Sequence, residues 1–179
     1  ELLSEAGTLD TTSLLVFDDV SGALTLFELG DVLFAKITPC MENGKGAFVE
    51  SLPSRYAFGI TEYHVLRPTN TINGKFLYYY TYNPIFRAYA AENMSGAAGQ
   101  KRVSSRFLKE TRLFLPPLPE QLEIISFLTA KDTEFRALFA QIESQVATLT
   151  AYRKSLIHEC VTGQRRISEA DLNQVKAYG

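Results

Sequence analysis

Leu115-Pro116-Pro117-Leu118-Pro119-Glu120-Gln121 stands at the junction on which the organisation of the chain turns. Proline fixes φ and restricts the residue before it, so Leu115 to Leu118 are held extended and a helix can start at Pro119 but hardly earlier. Beyond it, apolar residues recur in alternating steps of three and four, at Ile125, Leu128, Phe135, Phe139, Ile142, Val146, Leu149, Leu156 and Cys160. Asp132 and Arg153 are the only breaks in this stripe, and both fall on stripe positions. No Gly or Pro lies between Pro119 and Gly163, which predicts one continuous helix of about 40 residues, roughly 60 Å long at 1.5 Å per residue. A rod of that length cannot bury its stripe against itself and needs a second helix. Asp132 and Arg153 then either pair across an antiparallel partner or point to solvent. Pro116, Pro117 and Pro119 read as a hinge at the head of the rod.

The 179 residues allow one domain of ordinary size in addition to the rod. A hydrophobic content of 46% is enough for a core. No run of about 18 apolar residues predicts a membrane span. The chain opens at Glu1 with no charged-then-apolar leader, so it is expected to be a trimmed chain and not a secreted one. Cys40 and Cys160 lie in unlike contexts and are expected to be free thiols of a cytoplasmic protein. A formal charge of -2 argues against indiscriminate polyanion binding, but the charge is unevenly spread. Glu1 to Asp31 holds seven acids and no Lys or Arg, whereas Lys101, Arg102, Arg106, Lys109 and Arg112 crowd twelve positions with Glu110 as the one acid. A local basic face can hold phosphate on an acidic chain.

Short apolar pieces bounded by turn residues fill the first part of the chain. Leu14 to Phe17 and Ala23 to Leu29 read as strands, as do Val32 to Ile37, Ala47 to Glu50, Ala57 to Ile60 and Thr61 to Arg67. Cys40 to Gly46, polar and carrying Asn43-Gly44 and Lys45-Gly46, reads as a flexible loop or hairpin tip. Lys75 to Tyr80 and Phe86 to Tyr89 have helical spacing interrupted at Asn83-Pro84, which predicts a helix kinked or restarted there. Phe107-Leu108 makes a short helical turn, and Thr111 to Leu115 is expected to form a final strand.

Two polar edges could meet a nucleic acid. One is Lys36, Thr38, Asn43 and Lys45; the other is Ser95, Gln100, Lys101, Arg102 and Ser104 in a Gly/Ala/Ser-rich loop. Cations hold phosphates or guanine edges, while amide and hydroxyl groups reach base edges or the backbone. The first edge could equally be a solvated hairpin, and Gly/Ala/Ser loops with a basic pair are common. The aromatic cluster around Tyr82-Asn83-Pro84-Ile85-Phe86 reads as helix core, with a base pocket as the alternative. His64 and His158 are isolated, no Ser/His/Asp arrangement is present, and no metal-ligand cluster stands out, so no catalytic residue or metal ligand is assigned.

Gly30 to Pro39, Lys45 to Val49, Gly59 to Pro68, Gly99 to Val103, Leu115 to Gln121 and Leu156 to Gly163, taken in order, resemble the specificity subunit of type I restriction–modification systems. The resemblance covers about Gly30 to Ile167. It implies an α+β fold, with a mixed sheet/helix target recognition domain over residues 1–117, a spacer and dimerisation helix over 118–163 forming an antiparallel coiled coil with a partner helix, and a tail over 164–179. It implies a non-catalytic subunit that reads half of a split duplex DNA target and docks methylation subunits using S-adenosylmethionine and a restriction subunit using ATP and Mg. No cofactor is implied for this chain. One recognition domain with one helix resembles a half-length subunit that self-dimerises, or a piece of a longer one. The opening strand and Trp-rich lead-in usual in that family are absent, so contacts from that region are not assigned. A coiled-coil adaptor or inhibitor mimicking half a subunit and a DNA amino-methyltransferase fragment are the alternatives.

Overall fold

The computed structural model describes residue 9, residues 24–97, residues 99–169 and residues 171–173. The expected strand at Leu14 to Phe17 lies outside these residues. Among the described residues five strands come first, β1 (Leu24–Glu28), β2 (Val32–Ala35), β3 (Gly46–Phe48), β4 (Tyr56–Ile60) and β5 (Tyr63–Leu66). Four helices follow, α1 (Gly74–Tyr82), α2 (Pro84–Glu92), α3 (Ser105–Glu110) and α4 (Leu118–Val161). The fold is α+β. It divides into two compact units between Phe127 and Leu128.

In the first unit β2 is the central strand of a three-stranded antiparallel sheet, β3-β2-β5, and β1 pairs with β4 in a separate antiparallel ribbon. All four β2 residues are buried, because both faces of this strand are covered. Phe34 points into a cluster with Met41, Phe86, Ala90 and Val103, while Leu33, one residue out of phase, joins Phe27 and Val49 on the other side. The β1-to-β2 turn is closed by Gly30 at φ +87° and by Asp31, whose carboxylate accepts from the Glu28 N–H at 2.9 Å. The same buried carboxylate takes both Nε and Nη2 of Arg67, at 2.9 and 2.8 Å. That bidentate pairing holds the Arg67 pKa above its ordinary value.

The predicted helix restart is present, and one residue accomplishes it. The Asn83 N–H donates to the Tyr80 carbonyl at 3.0 Å to close α1, while its side-chain oxygen accepts from the Ile85 N–H at 2.8 Å to open α2. Pro84 occupies the first turn of α2, where a missing N–H has no cost. Gly74 begins α1 against β3: a Cβ there would lie 2.6 Å from Phe48 and 2.8 Å from the Gly30 carbonyl.

Two local expectations are corrected. Thr111 to Leu115 joins no strand ladder; Phe114 is 91% exposed, and the segment runs irregularly from α3 to the prolines. The Cys40 to Gly46 segment is not a loose tip, because Met41 is fully buried and the loop is folded on itself through Asn43 N–H to Pro39 carbonyl (2.8 Å) and Lys45 N–H to Cys40 carbonyl (2.9 Å). Its polar composition hid one apolar anchor.

Helix α4 has 44 residues, beginning one residue before Pro119. Its first backbone bond is Gln121 N–H to Pro117 carbonyl at 3.0 Å, so Pro119 sits where no N–H is needed. Gln121 is completely buried. Its Oε1 accepts from the Asn73 N–H at 2.8 Å, and its Nε2 donates to the carbonyls of Thr71 (3.0 Å) and Pro116 (2.8 Å). The proline segment is thereby tied to the loop before α1. In the second unit α4 ends at Val161 and is followed by Gly163 at φ +77°, past which the Arg165 N–H reaches back to the Glu159 carbonyl at 2.9 Å. Among the described residues no helix is long and apolar enough to cross a membrane.

Candidate nucleic-acid interface

The two polar edges, about sixty residues apart in sequence, meet in the fold. Beyond Ala35 the β2 chain leaves the sheet and is met by the 95–103 segment: the Val103 N–H donates to the Lys36 carbonyl at 2.8 Å and the Thr38 N–H to the Lys101 carbonyl at 3.0 Å. The second segment closes on itself through Ser95 and Arg102, whose N–H groups bond each other's carbonyls at 3.0 and 2.8 Å. Thr38 Oγ1 lies 3.8 Å from Met94 Sδ. Lys36 and Thr38 are half-buried on the resulting ledge, whereas Ser95, Gln100 and Lys101 are exposed. Main-chain bonds make the ledge, so its exposed side chains are not needed to hold it together.

Asn43 and Lys45 are carried on the folded 39–46 loop, Asn43 exposed and Lys45 half-buried. The Ala35 N–H donates to the Lys45 carbonyl at 3.2 Å, which places this loop beside the end of β2.

Two of the expected contacts have other partners. Arg102 donates from Nε to Glu62 Oε2 at 3.0 Å and from Nη2 to Glu62 Oε1 at 2.7 Å. This bidentate bond lowers the Glu62 pKa and raises that of Arg102, and it leaves the Arg102 side chain partly exposed. Ser104 caps α3, its hydroxyl accepting from the Phe107 N–H at 3.1 Å. Both assignments overlooked intramolecular partners, one of them 40 residues away.

His64 Nε2 donates to the Val103 carbonyl at 2.8 Å, and burial lowers its pKa from the ordinary histidine value despite that bond. It supports the ledge from beneath. Arg87, which the sequence reading left aside, is buried with its fork on the 39–46 loop. The signal that could have drawn attention to it is a lone cation in the aromatic run from Phe76 to Gln100.

Of the aromatic run, Phe76 and Phe86 are core, the tyrosines from Tyr78 to Tyr82 are half-buried and Tyr89 is exposed. Phe86 stacks at a tilt with Phe34 (5.7 Å between ring centroids), Tyr80 (5.2 Å) and Phe107 (6.3 Å). A shallow cleft of about 450 Å³ does lie beside Asn83, Tyr80 and Tyr89, but the Asn83 side-chain oxygen is spent on the cap of α2. Among the described residues no group of three or more His, Cys, Asp or Glu is placed to hold a metal ion.

On α4 the expected packing stripe is half-buried at Ile125, Leu128, Leu156 and Cys160 and open between them. Phe135, Phe139, Ile142, Val146 and Leu149 are all more than half exposed, as is Leu138 beside them. Asp132 accepts from Arg136 Nε at 2.7 Å on its own helix, and Arg153 is exposed.

Comparison with known proteins bears on the same elements. Over 140 residues, 78% of this chain, the sequence is 38% identical to the type I restriction enzyme EcoAI specificity subunit of Escherichia coli. It is 31% identical over the same share of the chain to the EcoEI specificity subunit of that organism. In each case the match covers 23% of the relative, so the chain spans less than a quarter of their length. The family model of the type I restriction modification DNA specificity domain matches residues 24–148. That match runs from β1 through the ledge and well into α4, and the chain belongs to the family of type I restriction modification DNA specificity domains.

Proposed function

We propose that this chain reads one half of a bipartite duplex DNA target for a methylation and restriction complex. In this reading the ledge formed by Lys36, Thr38, Ser95, Gln100 and Lys101 faces the groove, with Asn43 and Lys45 beside it. Helix α4 lays its open apolar stripe against a second such helix, from another copy or from a second half of a longer chain, and offers a platform to methylation subunits. The chain itself makes no bonds; S-adenosylmethionine, ATP and Mg belong to the partner subunits.

The observation that carries this reading is the joining of two remote polar segments into one surface by main-chain bonds, with Gln100 and Lys101 exposed upon it. Lysines hold the duplex through phosphate, and amides and hydroxyls distinguish base edges. The decisive test is the Lys36→Ala/Lys101→Ala variant in the assembled complex. Losing two phosphate contacts should weaken DNA binding about tenfold or more and flatten the salt dependence of log K by about two, with little change in Tm. Binding and salt slope like those of the parent would remove the ledge from the interface.

The open stripe of α4 also suits a second reading, an adaptor that occupies the helix site of a specificity subunit and blocks assembly. An assembled complex that excludes DNA, together with displacement of an intact specificity subunit, would favour it.

A further inference from the structure

Arg87 is an unusual use of a cation. It is 9% exposed, lies between the rings of Phe34 and Tyr82 (5.3 and 5.0 Å from guanidinium carbon to ring centroid), and has no carboxylate among the described residues. Burial lowers its pKa, and its Nε has no hydrogen-bond partner among the described residues. A methionine or leucine would fill the same volume without desolvating a charge. What hydrocarbon cannot do is bind two carbonyl oxygens of one loop. Arg87 does so, donating from Nη1 to the Met41 carbonyl and from Nη2 to the Gly44 carbonyl at 3.1 Å.

The loop is constrained from within as well. Met41 anchors it in the core, Gly44 adopts φ +85°, and a Cβ at Gly46 would lie 2.9 Å from the Leu33 carbonyl. The loop's exposed residues are Pro39, Glu42 and Asn43, of which Glu42 and Asn43 carry polar side chains. Their chemistry suits base edges: a carboxylate accepts from cytosine N4, and an amide can pair with adenine N6 and N7. A carboxylate repels phosphate, so at such a tip it selects rather than binds.

We infer that Arg87 is a positioning residue for base readout, fixing the 39–46 loop so that Glu42 and Asn43 meet the duplex in one preset geometry. The inference rests on the reading of this chain as a DNA reader and adds a division of labour: the ledge lysines supply affinity, and the latched loop supplies discrimination.

The test uses the full chain assembled with its methylation subunits, and a pool of randomised duplexes as probe. The parent is first used to select preferred duplexes, and its affinity is measured for these and for the unselected pool. Arg87→Lys keeps a cation but cannot reproduce the planar fork. Gly44→Ala strains the same loop at its own backbone, with its nearest new contact, Tyr82, at 3.9 Å. For each variant that retains a cooperative melt, affinity for the unselected pool and its salt slope should stay near the parent's, while the selected-to-unselected ratio falls about tenfold or more, the scale of one lost base-edge contact. A folded form of either variant that keeps the parental ratio overturns the role of the latch alone. If the parent itself enriches no sequence, the DNA-reading function falls and the inference with it.

Discussion

His64 ties the ledge to the sheet through a single proton. A carbonyl only accepts, so the hydrogen bond to Val103 requires the proton on Nε2, and half-burial disfavours adding a second on Nδ1. With the folded-state pKa lowered, the unfolded chain takes up the proton first as pH falls. The stabilisation is therefore complete above the ordinary histidine value of about 6.5 and is lost as pH drops below it toward the folded-state value. Thermal melts from pH 7.5 to 5.5 should show Tm falling in the parent and a shallower fall in His64→Gln; parallel profiles would mean that this histidine does not report on folding. Arg102 carries the complementary lesson. Its place in a basic cluster is plain in the sequence, but its partner Glu62 is remote along the chain and adjacent only after β5 and the 95–103 segment meet. Lys101 next to it remains exposed, so two neighbouring cations of the same apparent kind have different fates.

At the scale of elements, the legible parts were those with local causes. The restart at Asn83-Pro84 follows from a proline and a capping amide within three residues, and the long helix from uninterrupted periodicity. The strand expected over Val32 to Ile37 is present and ends at Ala35, two residues early. The 40–46 loop was not legible, since its anchorage depends on Met41 entering a core assembled from α2 and Val103 and on Arg87 arriving from α2. The site was legible as two candidate edges, and their joining was not. The proline segment is another such case. Three prolines advertise a stiff entry to a helix, but nothing local tells that the Gln121 amide will tie it to the carbonyl of Thr71 and the N–H of Asn73. Gln121→Leu keeps the volume and strands these groups in a buried site, at an expected cost of about 1–3 kcal/mol for each group left unsatisfied. Urea unfolding should show it; a midpoint within error of the parent would mean that water replaces the amide without loss.

At the scale of the whole molecule, the open face of α4 is a driving force not spent within the chain. Phe135, Phe139, Ile142, Val146 and Leu149 are each a little more than half exposed, so each stands to gain about 1–2 kcal/mol on full burial, a sum to be set against the cost of association. If two copies join there, the full chain should sediment as a dimer at micromolar concentration, and Ile142→Glu should return it to monomer while leaving the first unit folded. A monomeric parent at such concentrations would assign the face to a different chain.

The ledge has a further consequence for how such a protein can change. Its frame is written in peptide groups, the carbonyls of Lys36 and Lys101 and the amides of Thr38 and Val103, so no side chain at Ser95, Gln100 or Lys101 is needed to keep the frame closed. Those positions can drift through many residue types while the scaffold persists. In the proposed reading, the contacts made at the rim can therefore change one residue at a time, without rebuilding the domain that carries them.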